Sequence, residues 1–123
     1  MQNLDQLRAA HALREAASTD KASVSKLPAM ILTNGLLGAL AYACEEKSPG
    51  EPKRPPIKAA TDSLATHLAK LIPEVGVVTN GQTLAANLAK GDALTLQRAT
   101  TEALAYFSYL KRYAPKKDNG NAE

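Results

Sequence analysis

Asp92-Ala93-Leu94-Thr95-Leu96-Gln97-Arg98-Ala99-Thr100-Thr101-Glu102-Ala103-Leu104-Ala105-Tyr106-Phe107-Ser108-Tyr109-Leu110-Lys111-Arg112-Tyr113-Ala114-Pro115 is the stretch that decides the fold. At ~100° per residue, Leu96, Ala99, Ala103, Tyr106, Phe107, Leu110, Tyr113 and Ala114 gather on about a third of a helical wheel. Asp92 is suited to accept hydrogen bonds from the free N–H groups of a first turn. Pro115 has no N–H and a fixed φ, so it stops the helix. The stretch therefore predicts one long amphipathic helix whose apolar stripe is core. Arg98, Thr101, Glu102, Ser108, Tyr109, Lys111 and Arg112 fall on its outward face.

The same skew runs through the whole chain of 123 residues, in which 23 Ala and 17 Leu outnumber 4 Val and 3 Ile. Ala and Leu lose little freedom in a helix, whereas β-branched residues would dominate strands. The expectation is an all-α fold, a compact bundle of about five to six helices, forming a single domain over residues 1–115 with a polar, disordered tail over 116–123. A lone cysteine, Cys44, excludes an intrachain disulfide framework and points to a reduced compartment. No secretory pattern is expected in residues 1–16, where Asp5, Arg8, Arg14 and Glu15 interrupt the apolar positions. The longest apolar run, Leu36 to Cys44, falls short of the ~20 residues of a membrane span. A cytoplasmic protein with no membrane association is expected.

Working back from the last helix, residues 3–17 place Leu4, Leu7, Ala10, Leu13 and Ala17 on one half of the wheel, with His11 at its edge and Asp5, Arg8 and Glu15 opposite. Residues 18–25 are polar and predict a connector, with Pro28 in the first turn of a second helix that is apolar nearly all round to Lys47. Gly35 and Gly38 inside that helix predict a close approach by another helix backbone. Residues 47–56 hold four of the seven prolines and predict a loop; such a run can also serve as a polyproline II ligand. Ile57, Ala60, Thr61, Leu64, Ala65, Leu68, Leu71 and Ile72 define a third helix ended by Pro73. Residues 75–81 predict a loop despite Val77-Val78 and Asn80-Gly81, and residues 82–90 a short helix closed by Gly91.

No chemistry-bearing constellation emerges. His11, His67 and Cys44 lie on three different predicted helices with no metal-ligand spacing, and each reads as a core or core-edge residue. Gly76 and Gly81 match no phosphate-cradling loop, and Thr33-Asn34-Gly35 and Thr79-Asn80-Gly81 share no wider context. No catalytic residue, metal, cofactor or small-molecule substrate is expected. Charge partition is more informative. Residues 97–117 carry five cations against the single acid Glu102, whereas the rest of the chain has ten against eleven. The positive balance thus resides on the last helix and its extension. Lys111 and Arg112 could simply complement a helix C-terminus, or could mark a nucleic-acid face, for which Tyr109 beside them suits an unstacked base.

Three segments together resemble a known family: Arg8-Ala9-Ala10-His11-Ala12-Leu13; Leu27-Pro28-Ala29-Met30-Ile31-Leu32-Thr33-Asn34-Gly35-Leu36 leading to Ala39-Leu40-Ala41; and Arg98-Ala99-Thr100-Thr101-Glu102-Ala103-Leu104-Ala105 leading to Leu110-Lys111-Arg112-Tyr113-Ala114. They are similar to the small subunit of type III-B CRISPR effector complexes, the fifth protein of the Cmr module. The match anchors both ends and leaves residues 45–90 unmatched; the family often has Trp where this chain has Tyr109 and an aromatic where it has His11. The resemblance implies a small helical, non-catalytic subunit. Its copies would stack as a minor filament and help form the channel in which target RNA pairs with guide RNA, with RNA cutting left to the backbone subunits. Its partners would be other Cmr subunits, further copies of itself, and guide RNA/target RNA. On this reading Arg98, Lys111 and Arg112 are the expected RNA-binding residues, with Lys53, Arg54 and Lys58 of the Pro-rich segment as second candidates. Two alternatives stay open: a stand-alone helical nucleic-acid-binding protein, and a spacer whose basic face docks acidic protein subunits.

Overall fold

The computed structural model describes residues 2–116, so residues 117–123, most of the expected tail, lie outside the described residues. Among the described residues five α-helices form the fold: α1 (Leu4–Glu15), α2 (Lys21–Ala43), α3 (Pro55–Leu71), α4 (Gly81–Lys90) and α5 (Ala93–Tyr113). Single 3-10 turns follow α1 (Ala16–Ser18) and α3 (Pro73–Val75), and a minute hairpin of β1 (Glu46–Ser48) and β2 (Glu51–Pro52) joins α2 to α3. With 77% of the structure helical, the all-α expectation holds.

Side chains at the helix starts explain where the helices begin. Asn3 and Gln6 form a reciprocal capping box on α1, each side chain accepting from the other's backbone N–H at 2.8 Å. Asp20, Asn80 and Asp92 accept from the N–H of the residue three positions on, at 2.7–2.9 Å, at the heads of α2, α4 and α5. The Asp20 cap corrects the sequence expectation for α2. The polar stretch before Ser25 is helix rather than connector, and Pro28 lies two turns inside α2 rather than in its first turn. The lost N–H of Pro28 is tolerated because Val24, Leu27 and Ile31 around it are buried, and that packing offsets a missing backbone bond.

α2 is longer and more apolar than the run from Leu36 to Cys44 suggested. An 18-residue window within it reaches a mean hydropathy of 1.3, so by length and composition it could cross a membrane. In this fold it is instead the central core helix: Val24, Leu27, Ile31, Leu36, Ala39, Leu40 and Ala43 are buried, and its most extensive interface is with α5. Leu40, fully buried, belongs with Ala99, Ala103, Tyr106, Phe107 and Leu110 to a single core cluster to which all five helices contribute.

The glycines of α2 do a different job from the one their spacing suggested. Gly35 adopts φ +79°, ψ 165° and breaks the helix into two segments, a conformation essentially confined to glycine. A Cβ built there meets nothing within 4 Å, so the constraint is backbone geometry and not a neighbouring helix. Gly38 follows from the break: a Cβ on it would stand 3.0 Å from Asn34 Cβ. The tripeptide Thr79-Asn80-Gly81, by contrast, opens α4.

The Pro-rich segment is also more ordered than a loop. Pro49 and Gly50 form the turn between β1 and β2, with Gly50 at φ +80° as the third position of a type II turn requires. The antiparallel register pairs Glu46 with Pro52 and Ser48 with Glu51, and Ser48 Oγ donates to Glu51 Oε1 at 2.6 Å. Pro55 and Pro56 then occupy the first turn of α3, where a missing N–H leaves no bond unmade. Gly91 closes α4 without a left-handed φ; its N–H donates to Leu88 O at 3.2 Å.

Replacing Gly35 by Ala is expected to destabilise the fold by about 1–3 kcal/mol, the cost of forcing a side chain into a glycine-only region. A lowered urea midpoint with unchanged m-value is the expected readout; an unchanged midpoint would show that α2 straightens freely.

Candidate nucleic-acid interface

The six cations singled out by sequence separate into groups with different surroundings. Lys111 and Arg112 stand exposed on the last turn of α5, and neither has an acidic partner within 4.0 Å among the described residues. The carbonyls of that turn are already served: Lys21 Nζ, from the head of α2, donates to Lys111 O at 2.8 Å and Arg112 O at 3.1 Å. The end of α5 is therefore neutralised by a residue from another helix, and among the described residues nothing acidic engages the Lys111 and Arg112 side chains. Arg98 lies farther up the same face, half exposed and joined to Glu74 Oε1 at 3.3 Å.

The cations near the hairpin are more committed. The Arg54 guanidinium sits 3.6 Å over the Tyr42 ring centroid and donates to Tyr42 O at 2.9 Å and Glu45 Oε1 at 2.8 Å, tying the hairpin base to the end of α2. Lys58 Nζ lies 2.8 Å from both Asp62 oxygens, and Asp62 Oδ1 also accepts from Gly81 N at 2.8 Å. Both are working parts of the fold. Lys53 is exposed, with a loose approach to Glu45 at 3.9 Å. Tyr42 and Lys21 mark opposite ends of α2, so the hairpin cations and the α5 cations form two separate groups.

The largest departure from the sequence reading is Glu102. The wheel places it on the outward face, yet it is only 8% exposed, because α1 and α3 close over it. Arg8 of α1 grips it with two bonds, Nη2 to Oε1 at 2.7 Å and Nε to Oε2 at 2.8 Å. His67 Nε2 of α3 reaches Oε2 at 2.8 Å, and His67 Nδ1 meets His11 Nδ1 of α1 at 2.7 Å. The Tyr106 ring stacks on His67 with centroids 4.2 Å apart, and its hydroxyl bonds Ser63 Oγ. Each histidine is thus a core residue, as expected, but the two are neighbours. A signal for this cluster was present in the sequence: Glu102 lies three residues after Ala99 and four before Tyr106, at the border of the apolar stripe.

The cluster is asymmetric in charge. Burial opposes a charged Glu102, but bonds from Arg8 and His67 outweigh it and pull the carboxyl down to about 2. A carboxylate only accepts, so His67 carries a proton on Nε2, and the Nδ1–Nδ1 bond holds one proton between the rings. Burial, followed by the charges of His67, Arg14 and Lys70, lowers His11 to about 4, so His11 is neutral at pH 7. Burial pushes the Tyr106 hydroxyl up to about 12. Cys44, half-buried at the end of α2 beside Gly81, has its thiol raised by burial, which disfavours the reactive thiolate.

With this geometry in place, comparison with known families is decisive. The family model described as CRISPR-associated protein (Cas_Cmr5) matches residues 4–116. The chain belongs to the Cas_Cmr5 family. It is a small subunit of type III-B CRISPR complexes and belongs with the other subunits of a Cmr assembly. No curated protein and no solved structure gives a match. The family match spans all five helices and includes residues 45–90, so the hairpin and α3 fall within the same Cas_Cmr5 unit as the segments that first suggested the family.

The lowered pKa values of His11 and Glu102 each contribute a loss of stability in acid for this Cas_Cmr5 chain. Unfolded His11 takes up a proton near its ordinary 6.5, which the folded site resists until about 4; stability is therefore lost as pH falls through that window. Glu102 adds a loss between its ordinary 4.5 and about 2, where the unfolded chain again binds the proton first. Urea unfolding across pH 7 to 3 should show both losses. His11→Asn should flatten the first and leave the second, and an equally steep fall between pH 6.5 and 4 in that variant would reject the assignment to His11.

Proposed function

We propose that this Cas_Cmr5 chain is a non-catalytic structural subunit of an RNA-guided type III-B interference complex, working in the cytoplasm in antiviral defence. Copies of it stack as a minor filament, and the outward face of α5 lies along the guide/target RNA. The observation that carries the RNA part of this reading is the state of Lys111 and Arg112: exposed, without an acidic partner among the described residues, at a helix end that Lys21 already neutralises. The structural part is supported by the buried cluster, whose Arg8, Glu102, His67 and His11 are spent on one another.

Because guide pairing reads sequence, such a subunit needs only charge and shape complementary to an RNA backbone. Arg98 lies fourteen residues before Arg112 on one face of α5, about 21 Å along the helix at ~1.5 Å per residue. Lys111 and Arg112 are the primary phosphate contacts. Arg98 joins them when RNA phosphate displaces its long, exposed bond to Glu74, and Lys53, held only by its loose 3.9 Å approach to Glu45, is the candidate at the hairpin. Each contact adds salt-dependent affinity without sequence preference, and repetition along a filament multiplies a weak single-copy affinity.

The double variant Lys111→Glu/Arg112→Glu is expected to assemble with the other Cmr subunits and guide RNA but to release target RNA more readily. Its dependence of log affinity on log salt should flatten by roughly 0.7–0.9 per lost phosphate contact. An unchanged slope with intact assembly would reject the RNA assignment. Failure of the variant to assemble would assign the face to acidic partner subunits instead, and tight RNA binding by the purified chain alone would favour a stand-alone RNA-binding protein.

A further inference from the structure

The chain has only five aromatic residues; three are wholly committed to the fold, and Tyr109 is partly buried against the core. Tyr106 and Phe107 are fully buried in the core, and Tyr42 lies under the Arg54 guanidinium. The other two, Tyr109 and Tyr113, stand one turn apart on α5 and with Ser108 and Arg112 line an open cleft of about 390 Å³. Tyr113 is 41% exposed although its neighbours along the stripe are buried. The wheel places it in the core, and the structure turns it out into this cleft.

We propose that the cleft of Ser108, Tyr109, Arg112 and Tyr113 receives one unstacked nucleobase of single-stranded RNA. This rests on the RNA-holding reading of α5 and assigns a base-binding site to what was otherwise a phosphate-binding face. Three observations support it. The first is composition: two aromatic rings, a guanidinium and a hydroxyl offer a π-face for stacking, a cation for the flanking phosphate and a hydrogen bond indifferent to base identity. The second is charge: Arg112 lines the cleft, Lys111 precedes it in the same exposed turn, and among the described residues no acid lines it. Asp5, which accepts from the hydroxyl of cleft-lining Tyr109, is itself paired with Arg8 Nη1 at 3.4 Å. Proline-rich peptides also dock between tyrosines, but nothing in such a peptide uses two cations that have no acidic partner among the described residues.

The third observation is preorganisation. The Tyr109 hydroxyl donates to Asp5 Oδ1 at 2.9 Å, Asp5 pairs with Arg8, and Arg8 is fixed by its two bonds to buried Glu102. One wall of the cleft is therefore tethered through a chain of polar contacts to the core, so the ring loses little freedom when a base docks. Lys21, bonded to the carbonyls of Lys111 and Arg112, holds the turn that carries Arg112 and Tyr113.

The test uses the reconstituted Cmr complex with guide RNA and a target RNA carrying 2-aminopurine at one position at a time, its unpaired stretches included. A stacked reporter is quenched. Tyr109→Leu and Tyr113→Leu are each expected to relieve quenching at the same positions and to weaken retention of the unpaired stretch roughly 5- to 100-fold. Tyr113→Phe should restore it. Tyr109→Phe, which keeps the ring but loses the Asp5 tether, should fall between. If no reporter responds to the leucine variants while Lys111→Glu/Arg112→Glu still weakens retention, the cleft holds no base and the phosphate reading stands. If retention responds to none of these changes, both readings fall. Leucine variants that fold by circular dichroism but do not enter the complex would overturn the proposal in favour of a protein-docking cleft.

Discussion

A buried carboxylate holds this fold in register. Glu102 lies at the crossing of α1, α3 and α5, and it is kept charged there by a bidentate guanidinium and an imidazole. Such a group is costly to bury and more costly to leave unpaired; removing one partner of a buried pair typically costs about 3–5 kcal/mol. That asymmetry makes the cluster a geometric constraint more than a source of stability. Apolar stripes on three helices could slide by a turn with modest loss, but only one arrangement satisfies Arg8, Glu102, His67 and His11 together. Among the described residues no buried side-chain N or O lacks a partner, so the polar core is closed.

The constraint reaches outward as well as inward. Arg8 bridges the buried Glu102 and the exposed Asp5, and Asp5 receives the Tyr109 hydroxyl. Surface chemistry on α5 is thereby coupled to core geometry through four side chains. The break at Gly35 divides α2 into two segments that each bury apolar residues, Val24, Leu27 and Ile31 before it and Leu36, Ala39, Leu40 and Ala43 after it. Shape is set by one polar cluster and one glycine; the leucines and alanines fill what those two define.

Much of this was legible in the sequence. α1, α3, α4 and α5 are recognisable within a few residues because periodicity, caps and prolines agree there. The start of α2 was hidden because Ser23, Ser25 and Pro28 look like connector chemistry, and only the burial of Val24 and Leu27 reveals that tertiary packing overrides it. The hairpin was hidden for the opposite reason: Glu46–Ser48 and Glu51–Pro52 have almost no strand propensity, and the Pro49-Gly50 turn and the Arg54 tether organise them. Glu102 was misplaced because a wheel sends charges outward, and its partner Arg8 is 94 positions away in sequence. For the surface, sequence located the cations but not their commitments. The Lys58–Asp62 pair has visible i,i+4 spacing, whereas Arg98–Glu74 and Arg54–Glu45 depend on the fold.

The contact between Lys21 and the last turn of α5 has a consequence for motion. A terminal helix end ordinarily frays on its own, at almost no cost to the rest of the molecule. Here Lys21 N–H donates to Pro115 O at 2.9 Å while its ammonium holds two carbonyls of the preceding turn. Loosening the cationic end of α5 therefore means releasing the first residue of the central helix as well. With three bonds of this kind the two ends are expected to open together, so that the part of the surface best equipped to meet a partner is tied to the core.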